Sequence, residues 1–211
     1  MINLNNNFGF LQSELDGTEL VFGAPTEHKH LPQTFSYKRF MPSIINQGAE
    51  SICVPCSISA YINWRENLYD GSKKDNKVDY HQIYNCRTNQ GEGMSFKEAL
   101  HFLRHSGVNT KVGLKKIDKY AMVQDYSALK YAIVANGPCI GALPVFSGRP
   151  EFWKKEAGDG FFGLHAIAII GYNKDGFIIR NSWGEEFGNK GYSTLKYEDV
   201  YQLIEAWTMF S

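Results

Sequence analysis

The sequence lacks most of the features that mark a secreted, membrane-bound or nucleic-acid-binding protein. Its 211 residues include only four cysteines, and 22 basic residues balance 22 acidic ones to a formal net charge of zero. A neutral chain without long runs of like charge does not favour a nucleic-acid partner. The first residues lack the basic and apolar segments of a secretory signal, and the apolar run 166–170 is too short to span a bilayer. We therefore expect a cytoplasmic protein with reduced cysteines and no membrane partner.

The composition is that of a folded protein preceded by an irregular arm. Apolar residues make up 43% of the chain, which is enough to form a globular core. Residues 1–30 are rich in asparagine, glutamate and turn formers, whereas Leu31-Pro32 marks the entry to the folded body. We expect an N-terminal arm over residues 1–30 and one folded domain over residues 31–211.

Helical patterns dominate the first part of this domain. Val54, Ile58 and Ile62 follow helical spacing after Cys53, and Pro55 fits only the first turn of that helix. A capping box at 95–98 predicts a second helix, and residues 125–136 predict a third that ends at Gly137-Pro138.

Strand patterns dominate the last part. Two apolar runs, 166–172 and 177–180, are joined by the turn sequence Asn173-Lys174-Asp175-Gly176, which is typical of a hairpin. Residues 191–197 and 206–210 predict further strands. Helices first and strands later indicate an α+β fold, here of two lobes.

Three polar residues at the predicted element ends carry chemistry. Cys53 begins a helix, where backbone N–H groups and the helix dipole favour a thiolate. His165 lies at the edge of one strand, and Asn181 follows the next strand, so the hairpin brings them side by side. An asparagine oxygen there would orient the histidine ring toward a thiol. Taken singly, each residue also fits a structural role, as a buried thiol, a strand-edge histidine or part of a turn.

Several sequence blocks together resemble the papain family of Cys-His-Asn peptidases. The blocks occur in the order Asn46-Gln47-Gly48 with Cys53, Gly163-Leu164-His165-Ala166, Asn181-Ser182-Trp183-Gly184 and Gly188-Asn189-Lys190-Gly191-Tyr192. The resemblance runs from about residue 31 to 197. Leu31-Pro32, followed by Met41-Pro42 and Asn46-Gln47-Gly48, is similar to bacterial or viral members that lack secretory disulfides.

The resemblance implies a fold and a role for each matching residue. It implies a helical lobe over about 46–112 and a β lobe over about 113–211 plus 31–45, with the cleft between them. Cys53 would be the nucleophile of a cysteine endopeptidase, His165 its acid and base, and Asn181 the residue that orients His165. Gln47 and the Cys53 N–H would form the oxyanion hole. Substrate would contact Gly91, Gly93, Met94, Leu164, Ala166 and Trp183. The partner is a peptide or protein substrate, and neither metal nor organic cofactor is needed.

Departures from the family pattern leave alternatives open. Val54 replaces the usual tryptophan after the nucleophile, and Glu50-Ser51-Ile52 replaces Cys-Gly-Ser. The chain could therefore be a catalytically silent module that binds peptides in its groove. It could also hydrolyse isopeptides or other amides, or transfer acyl groups. The Cys53-Val54-Pro55-Cys56 sequence alternatively suggests a thiol-disulfide oxidoreductase.

The peptidase interpretation makes geometric predictions. We expect the Cys53 sulfur within roughly 3–4.5 Å of one His165 ring nitrogen, with Asn181 facing the other. Cys53 should be exposed with a lowered pKa, and Cys56 should be a buried, protonated thiol. Residues 1–30, through Leu20-Val21-Phe22, should either block the cleft or pack on the surface as a strap.

Overall fold

The computed structural model describes residues 8–25 and 30–211, and it has helices early and strands late. The helices are α1 (Cys53–Asp70), α2 (Tyr80–Tyr84), α3 (Phe96–His105) and α4 (Tyr126–Asn136), with 3₁₀ helices at Lys38–Phe40 and Tyr197–Gln202. The strands are β1 (Val21–Phe22), β2 (Phe35–Ser36), β3 (Val108–Thr110), β4 (Gly113–Lys115), β5 (Lys119–Val123), β6 (Cys139–Val145), β7 (Gly163–Tyr172), β8 (Gly176–Arg180), β9 (Tyr192–Lys196) and β10 (Glu205–Phe210).

Helix α1 is the central helix. Its residues are buried from Cys53 through Trp64, on every face, which is the pattern of a helix that runs through a core rather than along a surface. It packs against β7 on one side and against α2 and α3 on the other. This position carries Cys53, at the helix start, to the boundary between the helices and the sheet.

The other helices are delimited by the caps that the sequence predicts. Ser95 and Glu98 form the reciprocal capping box of α3, and the Asp125 side chain accepts a hydrogen bond from the Ala128 N–H at the start of α4. Helix α4 ends at Gly137, whose φ of 104° favours glycine. A side chain at Gly137 would also collide with the ring of Trp64, so this glycine lets α4 approach α1.

The main sheet has the order β1-β5-β10-β6-β7-β8-β9, with β2 paired to β7. Strands β6 and β7 lie at its centre; β6 is buried throughout and β7 is buried along most of its length. At one edge, β1 pairs with β5 in parallel. The predicted β7–β8 hairpin is confirmed, and the Asn173 side chain closes its turn by accepting from the N–H groups of Asp175 and Gly176.

These elements form the predicted α+β fold of two lobes. Helices α1 to α3 lie on one side, and the sheet with α4 lies on the other. Within residues 8–25 and 30–211, no helix is both long and apolar enough to cross a membrane.

Candidate active site

The predicted nucleophile lies at the first position of α1. Cys53 opens the helix, and the Ile52 carbonyl accepts the first helical hydrogen bond, from the Cys56 N–H, at 3.0 Å. N–H groups at a helix start point outward and stabilise a negative charge placed there. Cys56 lies one turn further along and is buried, as predicted, with its pKa raised mainly by burial and also by Cys53.

The histidine and asparagine meet across the β7–β8 hairpin. Ala168 pairs with Arg180 in the antiparallel register, so Asn181 comes alongside the start of β7. His165 Nε2 lies 2.7 Å from Asn181 Oδ1, and the same oxygen accepts a hydrogen bond from the Ser182 N–H. Because this oxygen only accepts, Nε2 carries the proton and Nδ1 is the basic nitrogen.

Both reactive groups are withdrawn from water. Burial lowers the pKa of His165 to about 4, against the opposing effect of the Asn181 hydrogen bond. Burial raises the pKa of the Cys53 thiol to about 11, although the backbones of Ala166 and Gly9 form hydrogen bonds with it. The expectation of an exposed Cys53 with a lowered pKa is therefore wrong for this state, because Cys53 is completely inaccessible to solvent.

The thiol lies against the strand that carries the imidazole, and the two groups are not hydrogen-bonded. The Cys53 sulfur contacts the backbone of Ala166, the residue that follows His165. Among the described residues, His165 Nδ1 has no hydrogen-bond partner. The Cys53–His165 hydrogen bond is therefore absent, whereas the predicted contact between His165 and Asn181 is formed.

Gln47 is held by both ends of its amide. Its Nε2 donates to the Glu50 carbonyl at 2.9 Å, and its Oε1 accepts from the Ser182 hydroxyl at 2.5 Å. The backbone adds a third link, from Gln47 N–H to the Ser182 carbonyl at 2.9 Å. Since an amide nitrogen has two hydrogens, the second Nε2 hydrogen is available to an oxyanion. Sequence reasoning missed Ser182, although it is part of the motif that contains Asn181.

Aromatic rings enclose the histidine. The Trp183 ring lies 4.5 Å from the His165 ring, centroid to centroid, and the Phe152 ring lies 4.9 Å from Trp183 and 5.8 Å from His165. Phe152 and Trp183 are buried, so the His165–Asn181 hydrogen bond lies in a dry environment, where hydrogen bonds are electrostatically stronger.

The N-terminal arm covers the nucleophile. The Phe8 ring contacts those of His165 and Trp183, and the backbone of Gly9 contacts the Cys53 sulfur. Phe10 is buried against Phe96, with ring centroids 4.7 Å apart. Sequence reasoning missed these residues: Phe8 and Phe10 register only as short apolar pieces in a polar segment.

The segment predicted to block the cleft lies elsewhere. Val21 and Phe22 form β1, which pairs with Met122 and Val123 at the edge of the sheet. Of the two alternatives for Leu20-Val21-Phe22, this segment packs on the surface as a strap and does not block the cleft. The edge of β5 has unpaired backbone N–H and C=O groups, and the backbone of this segment pairs with them. The segment therefore extends the sheet. Residues 1–7 and 26–29 of the arm lie outside the described residues.

The predicted substrate-binding residues fall into two groups around Cys53. Met94 pairs with the arm, since its N–H donates to the Gly9 carbonyl at 2.9 Å and its carbonyl accepts from Leu11 N–H at 3.0 Å. Gly93, with a φ of 90°, precedes it, and Gly91 lies further out and is exposed. Leu164 and Ala166 flank His165 in β7, opposite Pro144 and Ala142 of β6. Trp183 covers His165, as described above.

No group of three or more histidine, cysteine or acidic side chains is arranged to hold a metal ion within the described parts of the chain.

Comparison with known proteins supplies the family. A model described as papain family cysteine protease matches residues 53–207. Chymopapain of Carica papaya is 27% identical over 225 residues, which cover 89% of this chain and 62% of chymopapain. Cathepsin B-like cysteine proteinase 1 of Haemonchus contortus is 32% identical over 83 residues, which cover 36% of this chain and 24% of that protein. The matched regions thus span less than two thirds of these relatives.

Solved structures agree in fold. Xylellain, a cysteine protease from Xylella fastidiosa, superposes with a TM-score of 0.79 at 20% identity, over 98% of this chain and 97% of xylellain. The digestive procathepsin L2 proteinase of Tenebrio molitor larvae superposes with a TM-score of 0.77 at 15% identity, over 99% of this chain and 79% of that one. Because the family model spans residues 53–207 and the fold agrees, the chain belongs to the papain family of cysteine proteases.

Proposed function

We propose that this chain is a cysteine peptidase that hydrolyses peptide bonds through Cys53 and is held inactive by its own N-terminal arm. The observation that carries the first part is the His165–Asn181 hydrogen bond of 2.7 Å, which leaves Nδ1 as the basic nitrogen next to Cys53. The alternative as a thiol-disulfide oxidoreductase leaves this hydrogen bond and the anchored Gln47 amide without a role.

The proposed reaction uses only side chains and backbone groups of this chain. His165 Nδ1 takes the proton of the Cys53 thiol, and the thiolate attacks the carbonyl carbon of the substrate to form a C–S bond. The imidazolium then returns the proton to the leaving amine as the C–N bond breaks. A water molecule, deprotonated by His165, attacks the thioester and releases the acid and the free thiol. Asn181 keeps the ring in one tautomer and orientation throughout.

Gln47 and the Cys53 N–H would stabilise the tetrahedral intermediate. The Ser182 hydroxyl fixes the orientation of the Gln47 amide, so that its nitrogen, and not its oxygen, is presented to the developing negative charge. One preorganised donor of this kind is typically worth roughly 3–4 kcal/mol. On one wall of the cleft, we propose that Met94, with Gly91 and Gly93, pairs with the substrate backbone. On the other wall, we propose that Leu164, Ala166 and Trp183 line the cleft.

The arm has the properties of an inhibitor rather than of a substrate. In a substrate, the C-terminal, leaving segment must lie near His165, which protonates its amine. In the arm, Phe8 lies near His165, and the following residues run toward Met94, so the arm has the opposite direction. The Gly9 carbonyl is bound by the Met94 N–H. The arm thus keeps substrate out of the cleft, while its Gly9 carbonyl accepts a hydrogen bond from Met94.

Polar contacts anchor the arm beyond the cleft. The Ser13 N–H donates to the buried carboxylate of Glu205 at 2.9 Å. Lys97 Nζ lies 3.0 Å from Asp16 Oδ2 and 2.5 Å from Glu19 Oε1. The β1–β5 pairing forms a second anchor. We interpret residues 1–30 as a pro-segment and residues 31–211 as the peptidase domain, because the described part of the arm lies over Cys53 and is anchored to the rest of the chain by these contacts.

Hydrolysis of an unstructured peptide tests the proposed activity. The full-length chain carrying Gly9→Ala, which should displace the arm, is compared with the same chain carrying Cys53→Ala or Cys56→Ser in addition. We expect cleavage that Cys53→Ala abolishes and Cys56→Ser largely preserves, although a polar atom in the core lowers the stability of the latter. Cleavage by the Cys53→Ala chain, or equal loss from both substitutions, would refute the assignment.

Other parts of the sequence-based interpretation remain predictions. We predict a cytoplasmic location. We also predict that the partners are peptide or protein substrates, and that the chain binds neither nucleic acid nor membranes. The same cleavage assay, repeated with isopeptide-linked substrates, separates peptide hydrolysis from isopeptide hydrolysis.

A further inference from the structure

The arm identifies which part of the cleft faces the leaving segment of a substrate. His165 must protonate the leaving amine, so the residue that follows the scissile bond lies beside the His165 and Trp183 rings. In the full-length chain, the Phe8 ring occupies this position, 6.2 Å from the His165 ring and 6.0 Å from the Trp183 ring, between centroids. Both ring pairs are edge-on, which is a favourable geometry for aromatic contact.

A third wall of this site comes from a part of the chain outside the catalytic motifs. The Phe162 ring lies 6.5 Å from the Phe8 ring, and the Phe162 N–H donates to the Val145 carbonyl at 2.9 Å, which ties the position to the end of β6. The next residue, Gly163, leaves room for Phe8, because a Cβ atom there would lie 3.1 Å from the Phe8 Cβ. Phe152 forms the buried floor under Trp183 and His165.

We propose that Phe162, Gly163, His165 and Trp183 form an aromatic pocket that selects an aromatic side chain in the residue immediately after the scissile bond. Phe162 is the residue that sets this preference. The proposal rests on the proposed peptidase function. His165 and Trp183 belong to the catalytic motifs, whereas Phe162 precedes them and is 44% exposed, so its ring offers an open apolar face to an incoming side chain.

Two neighbouring phenylalanines provide a matched pair of variants. Phe161 is 62% exposed, and its ring packs on Phe146. Phe162→Ser removes one wall of the aromatic pocket, whereas Phe161→Ser removes an equal ring one position away. Both side chains are substantially exposed, so neither substitution opens a cavity in the core.

The experiment measures kcat/KM for two peptides that differ only in phenylalanine or serine after the scissile bond, with the full-length Gly9→Ala chain. We expect about a tenfold preference for phenylalanine, since ring contacts add to the burial of apolar area. Adding Phe162→Ser should reduce the preference to about twofold, and adding Phe161→Ser should leave it unchanged. A preference that survives Phe162→Ser, or is absent from the start, overturns the inference while cleavage itself upholds the peptidase function.

A second measurement needs no turnover. In the chain with Gly9 intact, Phe162→Ser removes one of the three rings around Phe8, so the arm should open more often. Cys53 should then react with iodoacetamide several-fold faster than in the Phe161→Ser chain. Equal rates in the two variants would show that Phe162 does not contribute to binding an aromatic ring. Failure of the Gly9→Ala chains to cleave peptide, although their Cys53 reacts readily with iodoacetamide, would reject the peptidase function itself, and this inference with it.

Discussion

Gly9 is the position at which the smallest change should release the arm. Its backbone lies so close to the segment before the nucleophile that a Cβ atom would be 2.1 Å from the Ser51 carbonyl oxygen and 2.5 Å from the Ser51 carbonyl carbon. Both are backbone atoms, which cannot rotate away as a side chain can. An alanine at this position therefore forces the arm to move by roughly 1 Å, the difference between 2.1 Å and the 3.0 Å below which real Cβ contacts essentially never fall.

Such a movement disrupts the contacts that hold the arm in the cleft. The Gly9 carbonyl and the Leu11 N–H both pair with Met94, at 2.9 and 3.0 Å. Overpacking costs about 1–3 kcal/mol, and each lost hydrogen bond adds about 1 kcal/mol. A total of roughly 3 kcal/mol corresponds to about a 100-fold larger fraction of open molecules.

The assay is hydrolysis of a quenched fluorescent peptide by the full-length chain. We expect Gly9→Ala to raise the initial rate by about 100-fold, or to the ceiling set by a fully open cleft. Gly23→Ala is the matched control on the same arm, because no atom lies within 4 Å of a Cβ placed there. The control should have the unmodified rate, and thermal melts should show both variants folded. Equal rates for a folded Gly9→Ala chain and the control would refute an inhibitory arm.

Three further predictions follow from the site and the arm. Acid should open the arm, because burial lowers the pKa of His165 to about 4 and the Phe8 ring of the arm contributes to that burial. Opening the arm raises this pKa toward its ordinary value near 6.5, so between about pH 6.5 and pH 4 the open state binds a proton that the docked state excludes, and opening is favoured as the pH falls. The lowered pKa values of Asp16 and Glu19 add to this only below about pH 4.5, where these carboxylates would take up protons in the open state. Because of His165, hydrogen exchange at the Leu11 N–H, corrected for its intrinsic rate, should be less protected at pH 5 than at pH 7.5; equal protection would contradict this. Asn181→Ala should lower kcat by about 10- to 100-fold with KM nearly constant, as measured in the Gly9→Ala background, because it frees the His165 ring without touching the substrate; a change confined to KM would argue against an orienting role. Lys97→Met, which leaves the start of α3 capped by Ser95, should increase the alkylation rate of Cys53 in the otherwise unmodified chain; an unchanged rate would show that the ion pairs do not hold the arm.

The predicted fold follows from local signals that the tertiary structure does not override. The capping box at Ser95, the Asp125 cap and the Asn173 turn each satisfy backbone groups within a few residues, so their positions can be inferred from neighbouring sequence. The burial of α1 on all sides was not predicted, because it depends on β7 and α3 packing against opposite faces.

In the candidate site, too, some features could be predicted from the sequence and others could not. His165 and Asn181 meet because one hairpin register places them, and a register is encoded by its turn and its alternation. The accessibility of Cys53 could not be inferred, since it depends on Gly9, which is 44 positions away and carries no side chain to form a pattern. Ser51 and Glu92 illustrate the same limit: a hydrogen bond of 2.8 Å joins their side chains, although 41 positions separate them in the sequence.

The most direct test of the central claim is to map the residue modified by an epoxysuccinyl probe in the full-length Gly9→Ala chain and to follow peptide cleavage in the same sample. We predict one modified residue, Cys53, with cleavage lost in proportion to its modification and with Cys56 and Cys139 unlabelled in their buried positions. Cleavage that persists after complete modification of Cys53, or that is lost while Cys53 stays unmodified, would contradict the account.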